Sequence, residues 1–217
     1  MKTTPFLRRI FEDSALRTVF LLYSGAALNA SYAAFHLVSG IRYSSSGAGA
    51  LAVYYLLFAI NRLFLIRAYQ RERGLKEGRY EYVWRVSLRA GVFLLLLGLS
   101  VALGVLLIAF QTKSAPRSVT DLFISAAYTL TLLFLAVRGS IRHRRGGDPV
   151  LSAAKSVSVA AALVSVFSLE EAVFASSAPS LRRVLSVSVG TGAVLSVLSL
   201  AFYSIFYARG MLKHAKK

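Results

Sequence analysis

Apolar stretches of nearly membrane-spanning length recur six times along the chain, with polar or charged connections between them. A helix needs about 20 predominantly apolar residues to cross the hydrocarbon core of a bilayer. The sequence predicts such spans at residues 19–38, 47–66, 90–110, 119–137, 150–174 and 184–207. The pattern therefore predicts an all-α fold, a polytopic membrane protein built as a bundle of six transmembrane helices.

The segments outside the spans are short. Within residues 1–17, Thr4 and Pro5 are a typical helix cap and first helical position. The next apolar residues share one helical face, which predicts a cytoplasmic interfacial amphipathic helix. Residues 18–208 are predicted to form the six-helix transmembrane domain, and residues 209–217 a basic cytoplasmic tail.

Composition agrees with a membrane protein. Of the 217 residues, 56% are hydrophobic and 16% are charged, and the mean hydropathy is +0.61; these values lie outside the range of ordinary soluble domains. The longest predicted connection, residues 67–89, is too short for a separate soluble domain. The sequence contains no cysteine, which excludes disulfides and thiolate metal sites.

The net charge of +17 is unevenly distributed. Most Lys and Arg residues lie at the two termini and in the second and fourth connections, and by the positive-inside rule these segments are cytoplasmic. We therefore predict a multi-pass protein of the bacterial plasma (inner) membrane with both termini inside. Anionic lipid at the cytoplasmic face is the expected partner of this charge, and no nucleic acid is expected. The pattern is also compatible with a homo-oligomer.

Polar side chains follow one face of several predicted spans. Gly25, Asn29, Tyr32 and His36 are spaced at i, i+4, i+7 and i+11 and share a helical face. Two interpretations stand, namely packing between helices through hydrogen bonds and the lining of a polar cavity. The candidate cavity-lining residues are Asn29, Tyr32, His36, Tyr54, Asn61, Ser165, Ser168 and Ser196.

Arg62 lies inside the second predicted span. It lies seven residues after Tyr55, on the same helical face. Because Arg67 marks the cytoplasmic end of the span only about one turn further on, we expect Arg62 to extend along the helix and place its charge at that interface.

Three acidic residues fall near the predicted outer surface. Asp121 opens the fourth span, and Glu170 and Glu171 close the fifth. Outward-facing carboxylates would concentrate cations at a pore mouth. Alternatively, Asp121 caps its helix and the group forms a structural ion-pair network with basic residues of the outer loops. These basic residues are Lys113, Arg117, Arg182 and Arg183.

The inventory of residues offers little for catalysis. The sequence contains no Gly-x-Ser-Gly motif, no Walker or dinucleotide-binding glycine motif, and Asp only at positions 13, 121 and 148. We therefore predict a protein that is not an enzyme and that has no cofactor and no metal site.

The first two spans contain a set of spaced residues, and the segment Pro149–Lys155 follows later in the chain. These residues are Asn29, Tyr32, Gly40, Ser46, Ala52, Tyr54, Tyr55 and Arg62. Together they resemble the motifs of an uncharacterised family of small bacterial membrane proteins. The resemblance covers most of the chain and implies no biochemical activity.

More distantly, the glycine and serine placement in the first two spans is similar to the transmembrane domain of cation diffusion facilitators. This resemblance implies six spans with both termini inside. Facilitators bind metal through Asp and His on spans two and five. Here span two has no Asp, Glu or His, and span five has only Glu170 and Glu171 at its end. The resemblance therefore implies a shared bundle without the same metal ligands.

The functional expectation from these observations is a small transporter or channel-like protein for a cation or a small polar solute. The alternative is a non-transporting membrane scaffold or regulatory subunit that binds a partner protein or anionic lipid.

Overall fold

The computed structural model describes residues 14–44, 46–75, 77–110, 119–142, 149–174 and 179–214. Within these ranges the chain forms six helices. They are α1 (Ser14–Arg42), α2 (Ser46–Gly74), α3 (Arg79–Phe110), α4 (Val119–Arg142), α5 (Pro149–Val173) and α6 (Pro179–His214).

The helices have the character of a multi-pass membrane protein. Helices α2 to α6 are each long and apolar enough to cross a membrane. Helix α1 has 29 residues and is not among these five, because Ser24, Asn29, Ser31 and His36 lower its hydropathy. The predicted all-α bundle is thus confirmed, with five helices of membrane-spanning character.

Four helices extend well beyond their predicted spans. Helix α1 covers Ser14–Arg42, where the predicted span is 19–38. Helix α2 continues to Gly74 and α3 begins at Arg79, so the predicted connection at residues 67–89 is mostly helical, and α6 continues to His214. Hydropathy detects only the apolar part of a helix, whereas Arg, Lys, Glu and Gln are good helix formers beyond it. Residues 1–13 of the predicted interfacial helix and residues 215–217 of the predicted tail lie outside the described ranges.

A tight turn joins α2 to α3. Gly78 adopts a positive φ of 68°, a backbone conformation that glycine tolerates. Across the turn, Arg79 donates hydrogen bonds of 3.0 and 2.7 Å to the buried carboxylate of Glu72. This ion pair fixes the two long helices at the end of the bundle where most exposed arginines lie.

Helix α5 is the central helix of the bundle. It contacts α2, α3, α4 and α6, and more than half of its residues are buried. Its buried positions are rich in alanine, and small side chains let neighbouring helices approach closely inside a membrane. The buried alanines are Ala153, Ala154, Ala160, Ala161, Ala162 and Ala172.

Helices α3 and α6 pack along a line of glycines, which we call the glycine seam. Its three contacts pair Gly91 with Ile205, Gly98 with Leu198, and Val105 with Gly190. A Cβ atom added at Gly98 would lie only 2.7 Å from the side chain of Leu198. The pairs run in opposite directions along the two helices, so α3 and α6 are antiparallel and meet at close range.

Candidate functional site: a buried polar cluster

Four aromatic rings from α1, α2 and α4 pack together inside the bundle. We call Tyr32, His36, Tyr55 and Tyr128 the aromatic cluster. The rings of Tyr32 and Tyr128 stack with centroids 3.7 Å apart, and the ring of Tyr55 meets that of Tyr32 edge-on at 4.7 Å. His36 stacks on Tyr55 at 5.6 Å. All four side chains are buried.

A chain of polar contacts crosses this cluster. The Tyr32 hydroxyl donates a 2.9 Å hydrogen bond to Ser125 Oγ on α4. It also lies 3.4 Å from Ser168 Oγ on α5, which is itself 3.3 Å from His36 Nε2. Three helices are thereby joined through hydroxyl groups and an imidazole.

A second set of contacts lies beside the first. Tyr128 donates a 2.6 Å hydrogen bond to Asn29 Oδ1, and Thr129 donates a 3.0 Å hydrogen bond to the backbone carbonyl of Ser165. These bonds, with the contact from Tyr32, fix the antiparallel register of α4 and α5 and tie both helices to α1.

Arg62 lies next to this cluster, inside the bundle. Its side chain is only 3% exposed, and its Nη2 donates a 3.3 Å hydrogen bond to Ser158 Oγ on α5. The expectation that Arg62 reaches the interface is therefore wrong. The physical reason is Gly25 on α1, which leaves the space that the guanidinium fills: a Cβ atom at Gly25 would lie 1.6 Å from Arg62 Nη1.

Several buried polar atoms around this region lack a hydrogen-bond partner. Among the described residues, the unpaired atoms on α1 and α2 include Asn29 Nδ2, the Tyr54 hydroxyl, both amide atoms of Asn61 and Arg62 Nε. Buried polar groups in native proteins are almost always hydrogen-bonded, and an unpaired one costs about 1–3 kcal/mol. Glu72 Oε2 and Trp84 Nε1 are also unpaired, near the end of the bundle where α2 meets α3. Most of the unpaired donors nevertheless lie on α1 and α2.

The structure brings together four of the predicted cavity-lining residues, Asn29, Tyr32, His36 and Ser168. Tyr54 is buried beside them, and its ring contacts Tyr55 and Phe58. The lining of a cavity by these residues stays a prediction.

The other three predicted residues lie differently. Asn61 is fully buried one residue before Arg62. Ser165 is buried, and its hydroxyl donates to the Ala162 carbonyl of its own helix. Ser196 is half-buried on α6, outside the four-helix region of the cluster, and its hydroxyl donates to the Gly192 carbonyl.

Four residues of this site were not among the predicted cavity-lining residues. Tyr55, Ser125, Tyr128 and Thr129 all contribute to it. Two signals were present: Ser125 and Tyr128 follow Asp121 at i+4 and i+7, and Tyr55 shares a face with Arg62.

The acidic residues lie at one end of the bundle, where α4 begins and α5 ends. Glu170 and Glu171 are 9% and 5% exposed, and Ser186 on α6 donates a hydrogen bond to Glu171 Oε1. Both glutamates are therefore buried at the end of α5, where α6 contacts Glu171. Their position at the outer surface, as a pore mouth or as part of an ion-pair network, stays a prediction. Asp121 is partly exposed.

The predicted basic partners of these acids are only partly described. Lys113, Arg117 and the side chain of Arg182 lie outside the described residues, and Arg183 is exposed. A network with these residues stays a prediction. Across the described part of the chain, no three His, Asp or Glu side chains come together as a metal site.

Comparison with known proteins identifies no family. No protein-family model matches the chain, and no curated protein matches it. The two resemblances noted in the sequence therefore stay predictions.

Proposed function

We propose that this protein is a small transporter or channel-like protein that moves a small polar solute or cation across the bacterial inner membrane. The observation that carries the proposal is the group of buried, unpaired polar atoms around Asn29, Asn61 and Arg62. A polar core that served packing alone would pair its donors and acceptors, since each unpaired group lowers stability.

Hydroxyl groups elsewhere in the bundle are paired, unlike the polar atoms around Asn29, Asn61 and Arg62. Ser100, Ser196 and Ser204 on α3 and α6 each donate to a carbonyl of their own helix, four residues back. Such bonds satisfy a hydroxyl without any ligand. The amide groups of Asn29 and Asn61 have the same opportunity to be satisfied by packing, yet hold unpaired atoms, which favours a role in binding.

The proposed topology makes α1 the sixth span, with both termini cytoplasmic. Phe20, Leu37, Val38 and Ile41 on α1 are large, apolar and exposed, as expected of a surface that faces lipid. The low hydropathy of α1 then arises from its inward polar face, where Asn29, Tyr32 and His36 are buried. The concentration of arginines near the turn between α2 and α3 supports a cytoplasmic position for that end.

The proposal is tested by flux into proteoliposomes. A panel of monovalent cations, small amines, amino acids and small carboxylates is offered to the purified protein, and uptake is measured with radiolabelled solutes. We expect at least one class to be transported. Asn29→Leu should reduce that flux by about tenfold or more, because it removes an unpaired donor and the acceptor of Tyr128.

Ser196→Ala is the matched control, because its hydroxyl bonds only to its own helix. It should retain full flux. Absence of flux for the whole panel with folded protein, or equal flux in wild type and folded Asn29→Leu, contradicts the transporter proposal.

A second candidate function is a scaffold that docks anionic lipid or a partner protein. Six exposed arginines line α2 and α3 near their connecting turn, and they favour this candidate because each can attract anionic lipid by about 1 kcal/mol. They are Arg67, Arg71, Arg73, Arg79, Arg85 and Arg89. Stoichiometric co-purification of a partner, or of a second copy of this chain, together with no flux, supports this function over transport.

A further inference from the structure

The charge of Arg62 is unmatched within the described part of the bundle. The described ion pairs join Glu72 to Arg79 and Glu81 to Arg85, and no described carboxylate pairs with Arg62. A guanidinium stays protonated in proteins. A permanent positive charge inside a membrane protein is costly and is normally balanced by a partner.

Contacts on two sides hold the Arg62 guanidinium inside the bundle. Ser158 Oγ accepts a hydrogen bond from Nη2, while the Ser158 hydroxyl donates to the Ala154 carbonyl at 2.9 Å. On the opposite side, Gly25 supplies the space for Nη1. The side chain is therefore clamped between α1 and α5, with its Nε buried and unpaired.

A second unpaired donor lies close to it along α1. Asn29 follows Gly25 by one helical turn and lies on the same face. Its Oδ1 accepts the hydrogen bond from Tyr128, and its buried Nδ2 has no partner among the described residues. The unpaired group on this face of α1 is thus an N–H donor, and together with the Arg62 guanidinium it offers the chemistry that recognises an anion.

We propose that Arg62, with Asn29 beside it, forms a binding site for a small monovalent carboxylate anion in the interior of the bundle. The edge formed by Nε–H and a neighbouring Nη–H binds a carboxylate through two parallel hydrogen bonds. A single negative charge balances the single charge of Arg62, whereas a dianion would leave a net charge buried. The inference rests on the proposed transport function, for which it names the class of solute.

The test is equilibrium binding to the whole protein in a non-ionic detergent. Thermal unfolding is followed while sodium formate, acetate, lactate or pyruvate is added at constant ionic strength, with sodium chloride, sulfate and phosphate as comparison salts. We expect saturable stabilisation by at least one of the carboxylates, at concentrations where the comparison salts have no effect. Equal stabilisation by chloride, sulfate or phosphate overturns the assignment.

Variants at three positions locate the site. Arg62→Gln should abolish the carboxylate-dependent shift in unfolding temperature. Arg62→Lys keeps the positive charge but lacks the two parallel N–H donors of the guanidinium, so it should weaken binding by about tenfold or more. Gly25→Ala should weaken binding likewise, because the new methyl group displaces the guanidinium. Gly192→Ala is the matched control, since a Cβ atom there meets nothing within 4 Å, and it should bind as wild type does.

The outcomes separate this inference from the proposed function. Carboxylate binding that depends on Arg62, without flux in liposomes, supports the site and contradicts transport. Flux of a cation or amine that Arg62→Gln leaves unchanged, without carboxylate binding, supports transport and overturns the anion site. Carboxylate stabilisation that is equal in wild type, Arg62→Gln and Gly25→Ala also overturns it.

Discussion

The bundle has two interiors of opposite character. Between α3 and α6, the glycine seam brings apolar side chains onto bare backbone at Gly91, Gly98 and Gly190. Between α1, α2, α4 and α5, the interior instead holds stacked rings, hydroxyls, amides and the Arg62 guanidinium.

Different interactions hold the two interiors together. Close packing of small residues holds membrane helices together by dispersion and leaves no polar group to satisfy. The polar interior contains unpaired donors that cost stability. These unpaired donors lie on α1 and α2, and one further buried donor, Trp84 Nε1, lies on α3. The concentration of unpaired donors on α1 and α2 makes that part of the bundle better suited to ligand binding than the glycine seam.

Overpacking the glycine seam should have the largest effect. Gly98→Leu forces a side chain into Leu198, so we expect a loss of about 3 kcal/mol in the free energy of unfolding. Reversible unfolding in mixed micelles measures this loss. Gly192→Leu is the control, because Gly192 is exposed with nothing near its Cα hydrogen. Equal losses at the two positions would show that the seam is not tightly packed.

Removal of the buried charge of Arg62 should raise the free energy of unfolding, whereas overpacking the glycine seam should lower it. Arg62→Met keeps an apolar chain of similar length, so without added carboxylate we expect a gain of about 2 kcal/mol in the free energy of unfolding. The same measurement on Arg85→Met gives the control, because the exposed pair of Arg85 with Glu81 contributes about 0.5 kcal/mol or less. A destabilised Arg62→Met protein would mean that Arg62 serves packing.

Two tyrosines sharpen the contrast within the polar interior itself. Tyr32→Phe removes the hydroxyl that donates to Ser125 and should cost about 1 kcal/mol. Tyr54→Phe removes a buried hydroxyl without a partner and should be neutral or stabilising by about 1 kcal/mol. Chemical denaturation of both variants gives the difference. Similar losses for the two would indicate that the Tyr54 hydroxyl is paired in solution.

The smallest expected effect compares two serines. Ser168→Ala removes the hydroxyl that contacts Tyr32 and His36, and hydrogen bonds between membrane helices contribute about 0.6 kcal/mol on average. Ser196→Ala removes only a bond within one helix and should change stability by less than about 0.3 kcal/mol. Thermal unfolding of the two variants side by side is sensitive enough to rank them.

Much of the site was visible as helical faces before any packing was known. The spacing of Asn29, Tyr32 and His36 placed them on one side of α1, and the structure buries all three. Ser196 was also predicted to line the cavity, but its hydroxyl donates to the Gly192 carbonyl of its own helix, α6, and does not join the site. The spacing of polar residues predicts which side of a helix they occupy, but it does not predict whether a neighbouring helix contacts them.

The sequence by itself determined the helical class, the six long helices of the described residues and the polar face of α1, because hydrophobic period and length are properties of one segment. The tertiary structure decided that α5 is central, that the glutamates are covered and that Arg62 turns inward against Gly25. The contact of Tyr32 with Ser125 joins residues 93 positions apart. Such contacts depend on which helices pack together, and the residue pattern of one helix does not predict its packing partners.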